Sequence, residues 1–174
     1  MDLEAPVDAW YVWLGVAVAS LAITGVVLSL PSQPPPDATG AANTIDRTAG
    51  SSHFASAASD HDADEVRIDA GRLSMRNDGG TAHASVAFES LTPLSAVADG
   101  TKREALSEVV AGTHPSTVLD DPAFDSLNES DLRRATDRAR LTRLDNEPEW
   151  REATGTLQVA RVQLDGETVV LVEM

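Results

Sequence analysis

The sequence predicts an α+β fold: an N-terminal transmembrane helix, a flexible linker, then an antiparallel sheet of two hairpins with two helices in the order ββααββ. Three observations carry this. Residues 10–30 hold no charged side chain and run straight into Pro31. Residues 31–61 are rich in Pro, Ala, Ser and Thr. From residue 62 onward, apolar periods of two and of about three and a half alternate between strong turn signals.

The elements follow in order. Residues 1–9 form a short tail with acids at Asp2, Glu4 and Asp8 and no base. That charge is wrong for a cleaved signal peptide and for a pilin-type leader. Residues 10–30 are long enough to cross a bilayer core of about 30 Å as a helix. Trp10, Tyr11 and Trp13 gather at one end, where amphipathic rings favour the headgroup level. The expectation is a single-pass protein of the cell membrane, in contact with the bilayer through 10–30. No base precedes the run and Arg47 is the first after it, so charge gives no orientation. The stalk-like composition of 31–61 places the C-terminal domain outside the cytoplasm.

The domain, 62–174, opens with Val66, Ile68, Leu73 and Met75, read as one strand with a bulge near Gly71. Asn77-Asp78-Gly79-Gly80 is a turn, and Ala82, Ala84, Val86 and Phe88 alternate along the return strand. Thr101-Lys102-Arg103-Glu104 fits a capping box for a short helix that Gly112 ends. Ser126 and Glu129 fit a second box, for a helix over about 127–141. Leu157 to Leu164, the turn Asp165-Gly166 and Val169 to Val172 make the second hairpin.

Composition narrows the function. The chain has 174 residues, no Cys and a charge of −15, from 28 acids and 13 bases. Lys102 is the only lysine. No disulfide framework or thiolate metal site is available. No basic stripe with interleaved aromatics exists, which argues against nucleic acid. An acidic, lysine-poor surface suits a halophilic protein. At 1 M salt the Debye length is about 3 Å, so such a surface serves solubility rather than long-range steering.

Candidate chemistry is sparse. In Asp60-His61-Asp62-Ala63-Asp64-Glu65, the carboxylates of Asp62 and Asp64 suit hard cations and His61 a transition metal. The spacing matches no known cation loop, so a solvated acidic stretch is the plainer reading and no metal or cofactor is assigned. His53, His61, His83 and His114 could each supply a base, and His83, on the strand face opposite the apolar one, reads as a surface histidine. Gly112-Thr113-His114-Pro115 is a helix end with a Pro turn that offers His114 as a base. No nucleophile elbow, phosphate loop or dinucleotide fingerprint occurs. Trp150, the sole domain tryptophan, reads as a core cap or a ligand-stacking ring. Asn128-Glu129-Ser130 is an N-glycosylation sequon, usable in an exported domain.

Taken with the apolar run and the linker, His61-Asp62-Ala63-Asp64-Glu65-Val66, Met75-Arg76-Asn77-Asp78-Gly79-Gly80-Thr81-Ala82 and Gly112-Thr113-His114-Pro115 resemble an uncharacterised haloarchaeal family of small single-span membrane proteins. Its members are thought to be encoded near type IV pilus-like or secretion genes. The resemblance covers most of the chain. It implies a cell-envelope location and an assembly role, and it brings no catalytic residues. The expectation is therefore a non-enzymatic, membrane-anchored interaction domain with a protein partner in the envelope. Two rivals stand beside it. One is a tethered hydrolase using His61 or His114. The other is an extracellular sensor or ligand-binding module with an apolar pocket near Trp150.

Overall fold

The computed structural model describes residues 9–28, 33–69, 71–88, 90–153 and 155–174. It divides into two units, one ending at Gln33 and the other beginning at Pro34. The expected tail and residues 29–32 fall largely outside the described residues.

The first unit holds helix α1, Ala9–Leu28, whose side chains are described from Trp10 to Val26 and are exposed. Among the described residues, no helix is long and apolar enough to cross a membrane. This corrects the transmembrane helix read at 10–30, and with it the single-pass description and the cell-membrane location.

The second unit is α+β, but its sheets differ from the expected one. The supposed linker, 31–61, supplies a core helix and a strand. Helix α2, Ala38–Ala49, is capped by Asp37, whose Oδ1 accepts from the Gly40 amide at 2.8 Å. Ala38, Ala41, Ala42, Ile45 and Ala49 are buried, at the spacing of one helix face. Strand β1, Ala55–Asp60, follows.

Next come β2 (Glu65–Asp69), β3 (Arg72–Asn77), β4 (Gly80–Ser85) and β5 (Leu91–Pro93). The predicted bulge near Gly71 is instead a reversal. Gly71 sits at φ 68, and β2 and β3 pair antiparallel with Asp69 opposite Arg72. A 3-10 turn at Leu94–Ala96 leads to α3, Gly100–Val110. Its cap is Asp99, accepting from the Lys102 amide at 3.1 Å, rather than Thr101. The short α4, Pro115–Leu119, precedes α5, Glu129–Asp145. There Asn128 takes the cap expected of Ser126: Asn128 Oδ1 accepts from the Asp131 amide at 3.0 Å and Asp131 Oδ2 accepts from Asn128 N–H at 3.3 Å. Strands β6 (Arg151–Glu152), β7 (Thr156–Leu164) and β8 (Glu167–Glu173) complete the unit. The β7–β8 turn has both Asp165 and Gly166 at positive φ, the primed geometry that matches strand twist.

Two four-stranded sheets result, ordered β1-β7-β8-β5 and β4-β3-β2-β6. The first is mixed rather than antiparallel, because β5 runs parallel to β8. Its inner face, with Leu157, Val159, Val170 and Val172, shares one core with α2 and with Val66, Ile68, Leu73 and Met75 of the second sheet. Its outer face, with Ala160, Val162, Leu164, Val169 and Leu171, shares another with Leu106 and Val109 of α3, Val118 of α4 and Leu132 of α5. Strands β7 and β8 are thus buried on both faces, which explains their near-continuous apolar sequence.

Candidate binding cleft

The inter-sheet core is treated differently at its two sides. Helix α2 packs against β1, β7, β3 and β4, one half of each sheet. The other halves, β8 and β5 with β2 and β6, border a cavity of about 740 Å³. Such a volume is within the usual range for ligand pockets. Its floor is apolar: Val66 and Ile68 from β2, Leu94 from the 3-10 turn, and Val172 and Met174 from the chain end. Short edge strands leave this side open, since β5 has three residues and β6 two.

Charged side chains line the walls. The helical wall brings Arg103 of α3 and Arg143 of α5. An Arg103 Nη1–H donates to the Val97 carbonyl at 3.4 Å. Burial holds the Arg143 guanidinium below its ordinary pKa, opposed by the nearby Asp69 carboxylate and assisted by Arg140. Glu173 accepts from the Ser107 hydroxyl at 2.8 Å. The facing wall is the segment after α5, with Glu147, Glu149 and Arg151; Glu152 lies opposite Glu65 and shares its outer sheet face.

Trp150 holds that second wall in place. It is half-buried on the outer face of the second sheet, with the Arg67 guanidinium 4.9 Å and the Arg76 guanidinium 4.5 Å from its ring centroid. Arg76 is also paired with Glu65, whose carboxyl is held below the usual carboxylate range by that hydrogen bond. Trp150 therefore caps neither the core nor the cavity; it lines the back of the segment whose neighbours line the cavity.

The other sequence candidates are dispersed. His61 directly follows β1, and its Nδ1 accepts from the Ala63 amide at 3.2 Å. Its Nε2 is buried without a hydrogen-bond partner among the described residues, and burial lowers its pKa against the opposing pull of Asp62 and Asp60. The Asp62 and Asp64 side chains are exposed. Their backbones do the structural work: the Asp62 carbonyl accepts from Asn77 Nδ2 at 3.1 Å, and the Asp64 carbonyl from the Ala153 amide at 2.9 Å. No group of three or more metal-binding side chains converges among the described residues. His114 caps α4 by accepting from the Ser116 amide at 3.3 Å, and its ring meets Phe54 edge-on at 5.3 Å.

Phe54 precedes β1 and His61 follows it. At about 3.3 Å per residue, the strand separates the two histidine sites by about 20 Å. His53 Nδ1 bonds the Ser52 hydroxyl, and the exposed His83 bonds the buried Ser74 hydroxyl across the outer sheet face, each at 2.8 Å. Asn128 is committed to the α5 cap.

A family model matches residues 4–162, from the N-terminal tail through most of β7. The chain belongs to DUF7283, a family of unknown function. No curated protein matches it. No solved structure matches it. The match spans β2, β5, α5 and the 147–152 segment, so most of the cleft lies within the family region. Sequence reasoning missed the cleft residues other than as generic core or surface positions. The local hint is Glu147-Pro148-Glu149, an acidic, proline-stiffened stretch directly before Trp150.

Proposed function

We propose that the protein is a non-catalytic recognition module, an accessory of a pilus-like or secretion assembly in a haloarchaeon. The cleft between the β5 and β6 edges carries this reading: it is a concave, apolar-floored site with polar walls, built on rigid strands. The origin is supported by 28 acids against 13 bases with a single lysine. The assembly context rests on the family resemblance. The hydrolase alternative would use a base at His61 or at His114; the two stand at opposite ends of β1, each accepting from a backbone amide, so they would not act as a pair.

The test is a stoichiometric complex. Reciprocal tagging of the chain and a captured protein, followed by gel filtration in molar salt, is expected to return both together. A chain that elutes alone in every tagged direction overturns the reading. Hydrolysis of a broad ester, phosphoester and peptide panel that disappears in His61→Ala or His114→Ala would replace it with the enzyme alternative.

A further inference from the structure

The four sheet edges are not protected alike. They are β1 and β5 in the first sheet and β4 and β6 in the second. An edge strand presents unpaired backbone groups and is usually blunted by shortness, proline or charge. Strand β5 has three residues and ends in Pro93, and β6 has two, both charged. Strand β1 ends in Asp60, and its Ser56 hydroxyl stands so near Gly112 that a Cβ added there would lie 3.0 Å from it. Strand β4 has none of these devices: its six residues, Gly80–Ser85, include no proline, acid, lysine or arginine.

Register fixes which groups β4 presents. Asn77 and Gly80 pair across the two-residue turn, and the Val86 amide donates to the Gly71 carbonyl at 2.9 Å. Gly80, Ala82 and Ala84 therefore bond β3, while the N–H and C=O of Thr81, His83 and Ser85 point outward along the edge. No backbone hydrogen bond to these outward groups forms among the described residues, and all three residues are exposed.

We propose that β4 pairs antiparallel with β4 of a second copy about a two-fold axis at His83, joining the second sheets of both copies into one. Centred there, the edge is self-complementary. His83 faces His83 of the partner subunit, and Thr81 faces Ser85 of the partner subunit, so hydroxyl meets hydroxyl. Charge favours a second copy at this place. Residues 71–88 carry Arg72 and Arg76 against Asp78 alone, in a chain of 28 acids and 13 bases. Molar salt screens the repulsion between the remaining acidic surfaces and leaves short-range backbone hydrogen bonds in place. The contact goes beyond the recognition reading and does not compete with it, because the cleft borders β6, the opposite edge of that sheet. So short an edge buries little area, which makes the dimer weak and reversible.

The chain has no Cys, so one introduced thiol is the only one present. Under mild oxidation in molar salt, His83→Cys is expected to give a covalent dimer. Facing hydrogen-bonded residues stand about 5.5 Å apart between Cα atoms, within disulfide range. Thr81→Cys is expected to stay uncrosslinked, because its two-fold mate lies four residues along the strand, about 13 Å away. Sedimentation of the full chain should show a concentration-dependent dimer. Thr81→Lys combined with Ser85→Lys should weaken it about fivefold by setting like charges opposite each other, and Thr81→Lys combined with Ser85→Glu should restore it. Equal crosslinking at the two positions, none at His83, or association that the lysine pair leaves unchanged overturns the proposal. The last would place self-association on the exposed apolar side chains of α1.

Discussion

The two sides of the inter-sheet core solve one problem in opposite ways. At the β1/β4 side, the chain closes the gap with its own helix, whose buried face is four alanines with one isoleucine and one threonine. Small side chains let α2 sit close to both sheets. At the β5/β6 side the strands shorten and a cavity of about 740 Å³ remains between the sheets. A fold that can close one side with twelve residues of alanine-rich helix has no physical need to leave the other open. The contrast marks the open side as the place to look for function.

A matched pair of truncations sharpens this contrast. Ile45 is fully buried under α2, and Ile68 is 8% exposed on the cleft floor. Ile45→Ala leaves an enclosed void and is expected to cost about 4 kcal/mol, near the upper part of the range for such changes. Ile68→Ala only widens a space already open, so the cavity penalty falls away and about 2 kcal/mol remains. Urea unfolding of the two variants measures the difference. Equal losses would mean the cleft is as tightly closed in solution as the α2 side, and the comparison would fail.

The same contrast shows what the sequence made legible. Turn chemistry was readable wherever it was local: Asp165-Gly166 and Asn77-Asp78-Gly79-Gly80 mark reversals that the backbone makes, with Asn77 Oδ1 accepting from the Gly79 amide at 2.8 Å. Helix α2 was hidden because its core face is built from alanine, which reads as linker by composition although its spacing and helix propensity favour a helix. The β2–β3 reversal was hidden because a glycine between two apolar runs fits a bulge and a tight turn equally well. The cleft was out of reach for a different reason. Its floor joins Val66, Leu94 and Val172, which only the parallel pairing of β5 with β8 and the stacking of two sheets bring together.

Trp150 tests whether the open side has a built wall or a loose one. Removing its ring takes away two guanidinium contacts and the packing that pins the 147–152 segment to the second sheet. Trp150→Ala is expected to cost about 1–2 kcal/mol in global stability. Amide exchange around Glu147 to Glu152 should rise by more than elsewhere. Uniform exchange, with no local increase, would mean the wall stands without its latch. Arg133→Ala is the control outside both regions. Arg133 meets Asp137 and Glu167 at 3.3 Å and Asp165 at 3.5 Å, tying α5 to the β7–β8 turn. These pairs are only partly buried, so a loss of about 1 kcal/mol is expected, with no change at the cleft.

The smallest expected effect is a slope, and it concerns the point where β1 ends. Burial lowers the His61 pKa, and the nearby Asp62 and Asp60 carboxylates offset this only in part. A base with a lowered folded pKa binds fewer protons when folded than when unfolded. Stability from this group is therefore fully present above the unfolded histidine value of about 6.5 and is lost as pH falls through the folded value. The wild-type chain should lose stability on acidification in that window, and His61→Asn should flatten the curve there while leaving stability at pH 8 nearly unchanged. Glu65 adds to the decline only at lower pH, because its pairing with Arg76 depresses a carboxyl that titrates below the histidine range. A His61→Asn curve parallel to the wild type would mean the ring is solvated in solution, and the first sheet's β1 end is looser than its packing against the Gly155 carbonyl implies.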